Sequence, residues 1–166
     1  MQTILGAGGA VGKSLASELK SYTSEIRLVS RNPKAVNPSD QLMKADLTNP
    51  EQVDLAVAGS EIVYLTVGLE YNIKVWQAQW PVIMRNVTDS CKRHNARLVF
   101  FDNVYMYDRD YMGNMTEATP IRPTSKKGEV RAGIEAMLKK EIESGRLKAL
   151  IARSADFIGT TNSTLV

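Results

Sequence analysis

The chain has 166 residues, a length that suits one domain of ordinary size. Hydrophobic residues make up 43% and charged residues 23%, which supports a buried core and excludes bulk disorder. The formal net charge of +3 comes from scattered Lys and Arg residues, so we expect no nucleic-acid partner. No apolar run approaches the roughly 18 residues of a membrane span, and no signal peptide is visible. Together with a single cysteine, Cys91, these features predict a cytoplasmic protein with no membrane partner.

Short apolar runs alternate along the chain with longer helical patterns, as in a parallel sheet with crossover helices. The predicted strands show little alternation, which is typical of strands buried on both faces. They cover Gln2–Leu5, Ile26–Val29, Gln41–Lys44, Ile62–Val67, Arg97–Phe101 and Lys148–Ala152. The predicted helices cover Val11–Lys20, Pro50–Ala58, Lys74–Arg93 and Lys126–Glu143. The pattern predicts an α/β fold, a Rossmann-type doubly wound parallel sheet of about six strands in three αβα layers.

A glycine-rich turn, Gly6-Ala7-Gly8-Gly9-Ala10-Val11-Gly12, joins the first predicted strand to the first helix. Such a turn is tight, lets main chain approach a pyrophosphate, and brings the helix close to the strand. The helix N-terminus then offers free N–H groups and partial positive charge to phosphates. The motif therefore predicts a site for NAD or NADP. A purely structural turn and the glycine loop of a methyltransferase are the alternatives.

The end of the second strand bears on the choice between the two cofactors. A Rossmann domain specific for NAD usually carries an acidic residue there for the ribose hydroxyls, but Val29–Pro33 has none. Arg31 could instead meet a 2′-phosphate or stack on adenine, which favours NADP, unless it is only a solvated loop charge. Gly12-Lys13-Ser14 resembles the end of an ATP-binding P-loop, but Ala7 stands where that motif needs its first glycine.

Gly6, Gly9 and Gly12 match the GxxGxxG motif of the extended and atypical short-chain dehydrogenase/reductase group, and the chain resembles its NAD-dependent epimerase/dehydratase type. Further matches follow in the order the family has them: Ala45–Thr48, Thr66–Gly68, Arg85–Lys92, Arg97–Phe101, Val104–Tyr107, Thr116–Pro123 and Arg153–Gly159. The resemblance implies hydride exchange between a nicotinamide and a carbinol or keto carbon of a sugar nucleotide, ketone or similar small molecule. The turn and these motifs predict cofactor contacts at Gly6, Gly8, Gly9, Ala10, Val11, Gly12, Ser30, Arg31, Asp46, Leu47, Thr66 and Val67.

The catalytic residues of the family are replaced. Its Tyr-x-x-x-Lys pair falls on Lys127 and Arg131, and its Ser or Thr falls on Asn103. Lys127 could act as a base if desolvated, and Tyr105 or Tyr107 could reach the nicotinamide. Arg131 could only stabilise charge, because a guanidinium keeps its proton. The candidate catalytic residues are therefore Asn103, Tyr105, Lys127 and Arg131.

These replacements leave other interpretations open. The protein could bind the dinucleotide without turnover, as a sensor or regulator, or it could be a degenerate relative with another reaction. Lys127 and Arg131 could then form a solvated helix face. We expect one NAD(P)-binding Rossmann domain over residues 1–166, without the C-terminal substrate-binding portion that is usual in the family.

The remaining chemistry-bearing residues indicate structural roles. No metal-binding constellation is present, so no metal is expected. Cys91 is interpreted as a core residue and His94 as a helix C-terminal cap. The apolar stripe of Val75, Trp76, Trp80 and Ile83 is interpreted first as a core face. Because relatives often dimerise through their fourth and fifth helices, here Lys74–Arg93 and Lys126–Glu143, a homodimer is the alternative use of this stripe.

Overall fold

A computed structural model describes residues 1–155. Within this range the strands are β1 Gln2–Leu5, β2 Ile26–Ser30, β3 Gln41–Lys44, β4 Ile62–Leu65, β5 Arg97–Asp102 and β6 Ala149–Arg153. The α-helices are α1 Ala10–Leu19, α2 Pro50–Val57, α3 Ile73–Arg93 and α4 Lys126–Glu143. A short 3-10 helix covers Arg109–Tyr111. Residues 156–159, the end of the last family-like segment, lie outside the described range.

All six strands of the described sheet are parallel, in the order β3-β2-β1-β4-β5-β6. The chain runs outward from β1 to β3 and then returns to β4 on the other side of β1. Leu5 pairs with Val29 on one side and with Leu65 on the other, so β1, β2 and β4 end at the same level. This reversal opens a crevice at the carboxyl ends of β1 and β4, where open α/β sheets bind ligands. The predicted fold class is confirmed.

Two hydrophobic clusters cover the two faces of the sheet. The smaller joins α1 to Ile4 and Leu28, and the larger joins α2, α3 and α4 to alternate residues such as Leu5 and Val29. Strand side chains alternate between faces, so both faces must be apolar, as the continuous apolar runs predicted. β4 ends at Leu65, two residues earlier than expected, because the following residues leave the sheet to border the crevice.

The aromatic stripe on α3 belongs to the core. Trp76, Trp80 and Ile83 are at most 5% exposed, and Val75 is partly buried. The core interpretation is confirmed, and the tryptophans are not available as an exposed dimer face. Cys91, also on this helix, is fully buried, and burial raises the pKa of its thiol to about 12. That excludes a ready thiolate and confirms a packing role.

The ends of the helices follow local sequence rules. Asn49 accepts a hydrogen bond from the main-chain N–H of Gln52, and Pro50 occupies the first position of α2, where the helix was predicted to begin. His94 ends α3, and its Nε2 lies 3.1 Å from Oδ1 of Asp54. The histidine is therefore a cap at the helix C-terminus, as predicted, and it joins α3 to α2.

Candidate functional site

Two glycines of the turn are required by the fold itself. Gly6 has φ +97°, and a Cβ there would lie 2.5 Å from the main chain of Val67. A Cβ on Gly12 would lie 2.8 Å from Cα of Ala7 and 2.9 Å from the carbonyl oxygen of Gly6. Neither position has room for a methyl group, so these glycines allow α1 to approach β1 and β4.

The other two glycines of the turn have no such constraint. A Cβ on Gly9 would find no protein atom closer than the carbonyl oxygen of Gly6 at 3.7 Å, and one on Gly8 would contact only Ser30, at 3.8 Å. Gly9 is the N-cap of α1, and no side chain caps this helix. The first N–H groups of a helix need partners from outside it. Bare main chain at an uncapped helix end is the arrangement that binds a phosphate.

A cavity of about 400 Å³ opens at this turn, at the crevice predicted by the strand order. Eight of the twelve predicted cofactor residues line it: Gly6, Gly8, Gly9, Ser30, Arg31, Asp46, Leu47 and Val67. The predicted residues Ala10, Val11, Gly12 and Thr66 are not among its lining residues. The hydroxyl of Thr66 donates to the carbonyl oxygen of Leu5 at 3.3 Å, beneath the turn. Sequence reasoning missed Leu69 and Gln79, which also line the cavity but belong to no motif.

The polar groups of this cavity fit an adenine dinucleotide. The buried hydroxyl of Ser30 has no hydrogen-bond partner among the described residues, although buried hydroxyls normally have one. Arg31 beside it is exposed. The pKa of Asp46 is lowered, chiefly by hydrogen bonds from the N–H and hydroxyl of Thr48 and less by the charge of Arg31. The site therefore offers one unsatisfied hydroxyl, one cation and one ionised carboxylate.

A second cavity, of about 690 Å³, lies beside the N-terminus of α4. It is lined by Tyr71, Ile73, Val104, Tyr105, Tyr107, Arg109, Met112, Met115, Thr124, Ser125, Lys126, Lys127 and Ala155. Of the four predicted catalytic residues, Tyr105 and Lys127 line this cavity, whereas Asn103 and Arg131 do not. The long connection between β5 and α4 supplies most of the lining, in agreement with the functional role that long loops often have.

Lys127 is partly buried, so it is not simply part of a solvated helix face. Its Nζ lies 2.6 Å from the ring centroid of Tyr71 and 5.5 Å from that of Trp76, and it donates to the carbonyl oxygen of Tyr71 at 3.3 Å. The aromatic faces stabilise the ammonium, since their negative quadrupoles attract a cation. Tyr105 stacks on Trp76, with the two ring centroids 6.3 Å apart.

Asn103 is not among the residues that line the second cavity. Its Oδ1 accepts a hydrogen bond from the main-chain N–H of Tyr105 at 3.2 Å, and its own N–H donates to Asp102 at 2.9 Å. The side chain thus shapes the turn after β5. Tyr107 is 7% exposed, and its hydroxyl accepts a hydrogen bond from Arg153. Its position is set by β6 as well as by the loop.

The expectation of a solvated face is wrong for Arg131. This side chain is 8% exposed, and its Nη1 lies 3.4 Å from Oδ1 of Asp102, at the end of β5. Its guanidinium carbon lies 4.2 Å from the ring centroid of Trp80. Burial raises the pKa of Asp102, while the charge of Arg131 lowers it. The arginine is therefore held by a buried carboxylate and aromatic rings, on the inner side of α4.

This pair belongs to a buried charge cluster that joins α4 to both neighbouring strands. Arg153 on β6 lies 2.6 Å from Glu135 on α4 and 3.6 Å from Asp102 on β5. Glu135 is also paired with Lys139 at 2.7 Å. Neither Asp102 nor Glu135 was a candidate from the sequence, because no motif marks two acids 33 positions apart as neighbours.

The glycine turn lies between a parallel strand and an uncapped helix, at the point where the strand order of the sheet reverses. This arrangement defines a Rossmann-type dinucleotide-binding domain. The sequence comparison agrees: a family model described as NAD(P)H-binding matches residues 6–142, and the chain belongs to this family. No curated protein matches the chain. None of the helices in residues 1–155 is both long and apolar enough to cross a membrane.

The most similar solved structures include dehydrogenases and a dehydratase. Uronate dehydrogenase from Agrobacterium tumefaciens has a TM-score of 0.78 at 18% identity and matches 89% of this chain and 57% of its own. L-threonine 3-dehydrogenase from a metagenome has a TM-score of 0.80 at 18% identity, covering 93% and 53% of the two chains. A dTDP-glucose 4,6-dehydratase double mutant from Streptomyces venezuelae, with NAD bound, has a TM-score of 0.76 at 15% identity, covering 92% and 55%. The fold is that of the short-chain dehydrogenase/reductase and epimerase–dehydratase structures, and the chain spans little more than half of their length.

Proposed function

We propose that this protein is an NAD(P)-dependent oxidoreductase or epimerase/dehydratase relative that acts on a carbinol or keto carbon of a small molecule. The main support is the course of the chain after β4. Val67 and Leu69 line the first cavity, and Tyr71 and Ile73 line the second. One short segment therefore borders both a site suited to a dinucleotide and a second cavity with candidate proton-transfer groups.

The nicotinamide supplies the hydride donor or acceptor when the cofactor is bound. The protein must then move a proton at the substrate oxygen, because removing hydride from a carbinol carbon also releases the hydroxyl proton. We assign this proton transfer to the phenol of Tyr105, which lines the second cavity. Lys127 would donate a hydrogen bond to a substrate oxygen. Asn103 and Arg131 would position the β5 loop and α4, since Oδ1 of Asn103 accepts from the N–H of Tyr105 and Arg131 is buried beside Asp102.

Replacing Tyr105 by phenylalanine tests the proposed proton transfer. We expect kcat to fall about a hundredfold, the lower end of the range for general acid–base catalysis, with little change in cofactor affinity. The assay follows reduced-nicotinamide absorbance with a panel of sugars, sugar nucleotides and ketones. Tyr111→Phe is the matched control, because Tyr111 is 47% exposed and lines neither cavity. Equal activity of the Tyr105 variant and the wild type would exclude this role.

The first cavity favours NADP over NAD. Arg31 supplies a cation and Ser30 an unsatisfied hydroxyl at the end of β2, where NAD-specific domains carry an acid, whereas the carboxylate of Asp46 in this cavity lies after β3. A 2′-phosphate would accept hydrogen bonds from both of these side chains. The cofactor contacts of the turn itself, including the N–H groups of Ala10, Val11 and Gly12, would serve either dinucleotide.

Removing the cation should therefore change cofactor preference. We expect Arg31→Ala to weaken NADP binding by about tenfold, the value of one charged hydrogen bond, and to leave NAD binding nearly unchanged. Titration of NADP, NAD and ATP followed by thermal shift measures all three, since a ligand of the folded state raises its stability. Lys148→Ala, which removes a charge before β6, is the control. Equal losses for NADP and NAD would contradict a role of Arg31 in reading the phosphate.

A dinucleotide-binding sensor without turnover is the second candidate. It is favoured by the position of Arg131. The family's lysine at this position acts at the reaction site, whereas this guanidinium is buried beside Asp102. Binding of NADP without any turnover across the substrate panel would establish this alternative. A homodimer and a cytoplasmic location stay predictions from the sequence. Sedimentation at several protein concentrations would test the dimer.

A further inference from the structure

Among the described residues, the charged side chains that line the second cavity are all cations. Arg109, Lys126 and Lys127 line it, and no aspartate or glutamate is among its lining residues in the described part of the chain. Asp108, which precedes Arg109 in the sequence, is paired with another residue: its Oδ2 lies 3.1 Å from Nη1 of Arg122. The cavity thus concentrates positive charge, and a cleft lined by one sign attracts ligands of the other.

Lys127 is the best placed of the three cations. Its ammonium has three N–H donors, and among the described residues one carbonyl oxygen and two aromatic faces are its partners. Among residues 1–155 no carboxylate is paired with it within 4.0 Å, although the side chain is partly buried. An ammonium that has no counter-ion among the described residues can still form a charged hydrogen bond with an anion that brings its own oxygens.

The rest of the lining determines what the anion must be attached to. Tyr71 and Tyr105 present aromatic surface, and Met112 and Met115 present flexible apolar surface. The hydroxyl of Ser125 is occupied, because it caps α4 by accepting from the N–H of Gly128 at 3.0 Å. The three cations therefore supply the charge that recognises the anionic group, while the carbon skeleton packs on rings and methionines.

We propose that the second cavity binds a substrate that carries an anionic group, a carboxylate or a phosphate, with Lys127 as its principal partner and Arg109 and Lys126 at the rim. The assignment of this ligand as the substrate rests on the proposed hydride-exchange function. The binding of the anion in this cavity does not, since it follows from the charges and surfaces alone.

The test uses the methyl signals of the two methionines in the cavity. The full chain is labelled with ¹³C-methyl methionine, and the signals of Met112 and Met115 are assigned by substitution with leucine. Every sample contains saturating NADP⁺, so the cofactor's own phosphates are constant. The probes share one skeleton and differ in charge: glucose, glucuronate and glucose 6-phosphate, with inorganic phosphate as the bare anion. The two charged sugars distinguish a carboxylate from a phosphate.

We expect at least one anionic probe to shift both methionine signals in a saturable way, and glucose to shift neither. Lys127→Gln should weaken this binding about tenfold, as expected for loss of one charged hydrogen bond, and Lys148→Gln should not. Arg109→Gln is a second variant at an exposed position, with a smaller expected loss. Glucose binding as tightly as the anions, or no shift with any anion including phosphate, would overturn the proposal.

Reduced-nicotinamide absorbance, recorded on the same samples, separates this inference from the proposed function. Anion binding without any absorbance change would uphold the anion site and count against hydride exchange. Turnover of neutral substrates alone, with no anion bound, would support hydride exchange and count against the anion site.

Discussion

Gly9→Ala is expected to weaken NADP binding by more than tenfold while the protein stays folded. A methyl group at Gly9 meets protein only at the carbonyl oxygen of Gly6, 3.7 Å away, and Gly9 lines the first cavity. Its backbone, φ −79° and ψ 167°, suits any residue, so the free energy of unfolding should change by less than about 1 kcal/mol. The methyl group instead takes the space through which a pyrophosphate approaches the main chain. Calorimetric titration with NADP and a thermal melt measure the two effects.

Gly12→Ala is the matched comparison, because the same methyl group, placed three residues along the turn, is expected to destabilise the fold. There the added carbon would lie 2.8 Å from Cα of Ala7 and 2.9 Å from the carbonyl oxygen of Gly6. Overpacking of this kind costs about 1–3 kcal/mol, so the melting temperature should fall clearly. If Gly9→Ala bound NADP as well as the wild type, the turn would not be the phosphate site.

Arg131→Met is expected to lower the free energy of unfolding by about 3–5 kcal/mol at neutral pH, the cost of leaving one partner of a buried ion pair uncompensated. Asp102 is 1% exposed and would be left in an apolar setting without this cation. The charge of Glu135 repels that of Asp102, and the charge of Arg153 offsets this repulsion and the loss of Arg131 only in part. Chemical denaturation at several pH values measures the loss.

The loss should shrink as the pH falls. Burial already raises the pKa of Asp102 in the folded state above its unfolded value, and removing Arg131 raises it further. A carboxyl group of this kind stabilises the fold when protonated and loses that contribution as pH rises through the folded-state pKa. The deficit of the variant should therefore be larger at pH 8 than at pH 5. Adding Asp102→Asn to the variant should restore much of the stability, whereas a small, pH-independent deficit would contradict the buried pair.

The layered fold could be predicted because its determinants are local. The strands are short apolar runs, and the helices carry apolar residues at helical spacing, with caps such as Asn49 at their starts. The glycine motif marked the end of β1 and the start of α1, which set the position of the crevice. Helix and strand boundaries shifted by one or two residues only, since such positions depend on neighbouring loops as well as on the pattern.

The cofactor cavity was mostly predictable, whereas the environment of the catalytic positions was not. Motif residues such as Gly9 and Arg31 line the first cavity because the motif describes main chain around a ligand. The buried position of Arg131 depends on Asp102, which lies 29 positions away on another element. Helical spacing alone does not reveal such a partner. A charged residue on the apolar side of α4, between Gly128 and Ile134, was the one available signal of burial.

In the proposed function, main-chain N–H groups at the start of α1 bind the diphosphate of NAD(P). The most direct measurement is a ¹⁵N–¹H NMR titration of the full chain with NADP⁺, following the assigned amides. We predict the largest saturable shifts at Ala10, Val11 and Gly12, with a second group at Ser30 and Arg31. Saturable binding that leaves these amides unmoved, or no binding at all, would contradict the account.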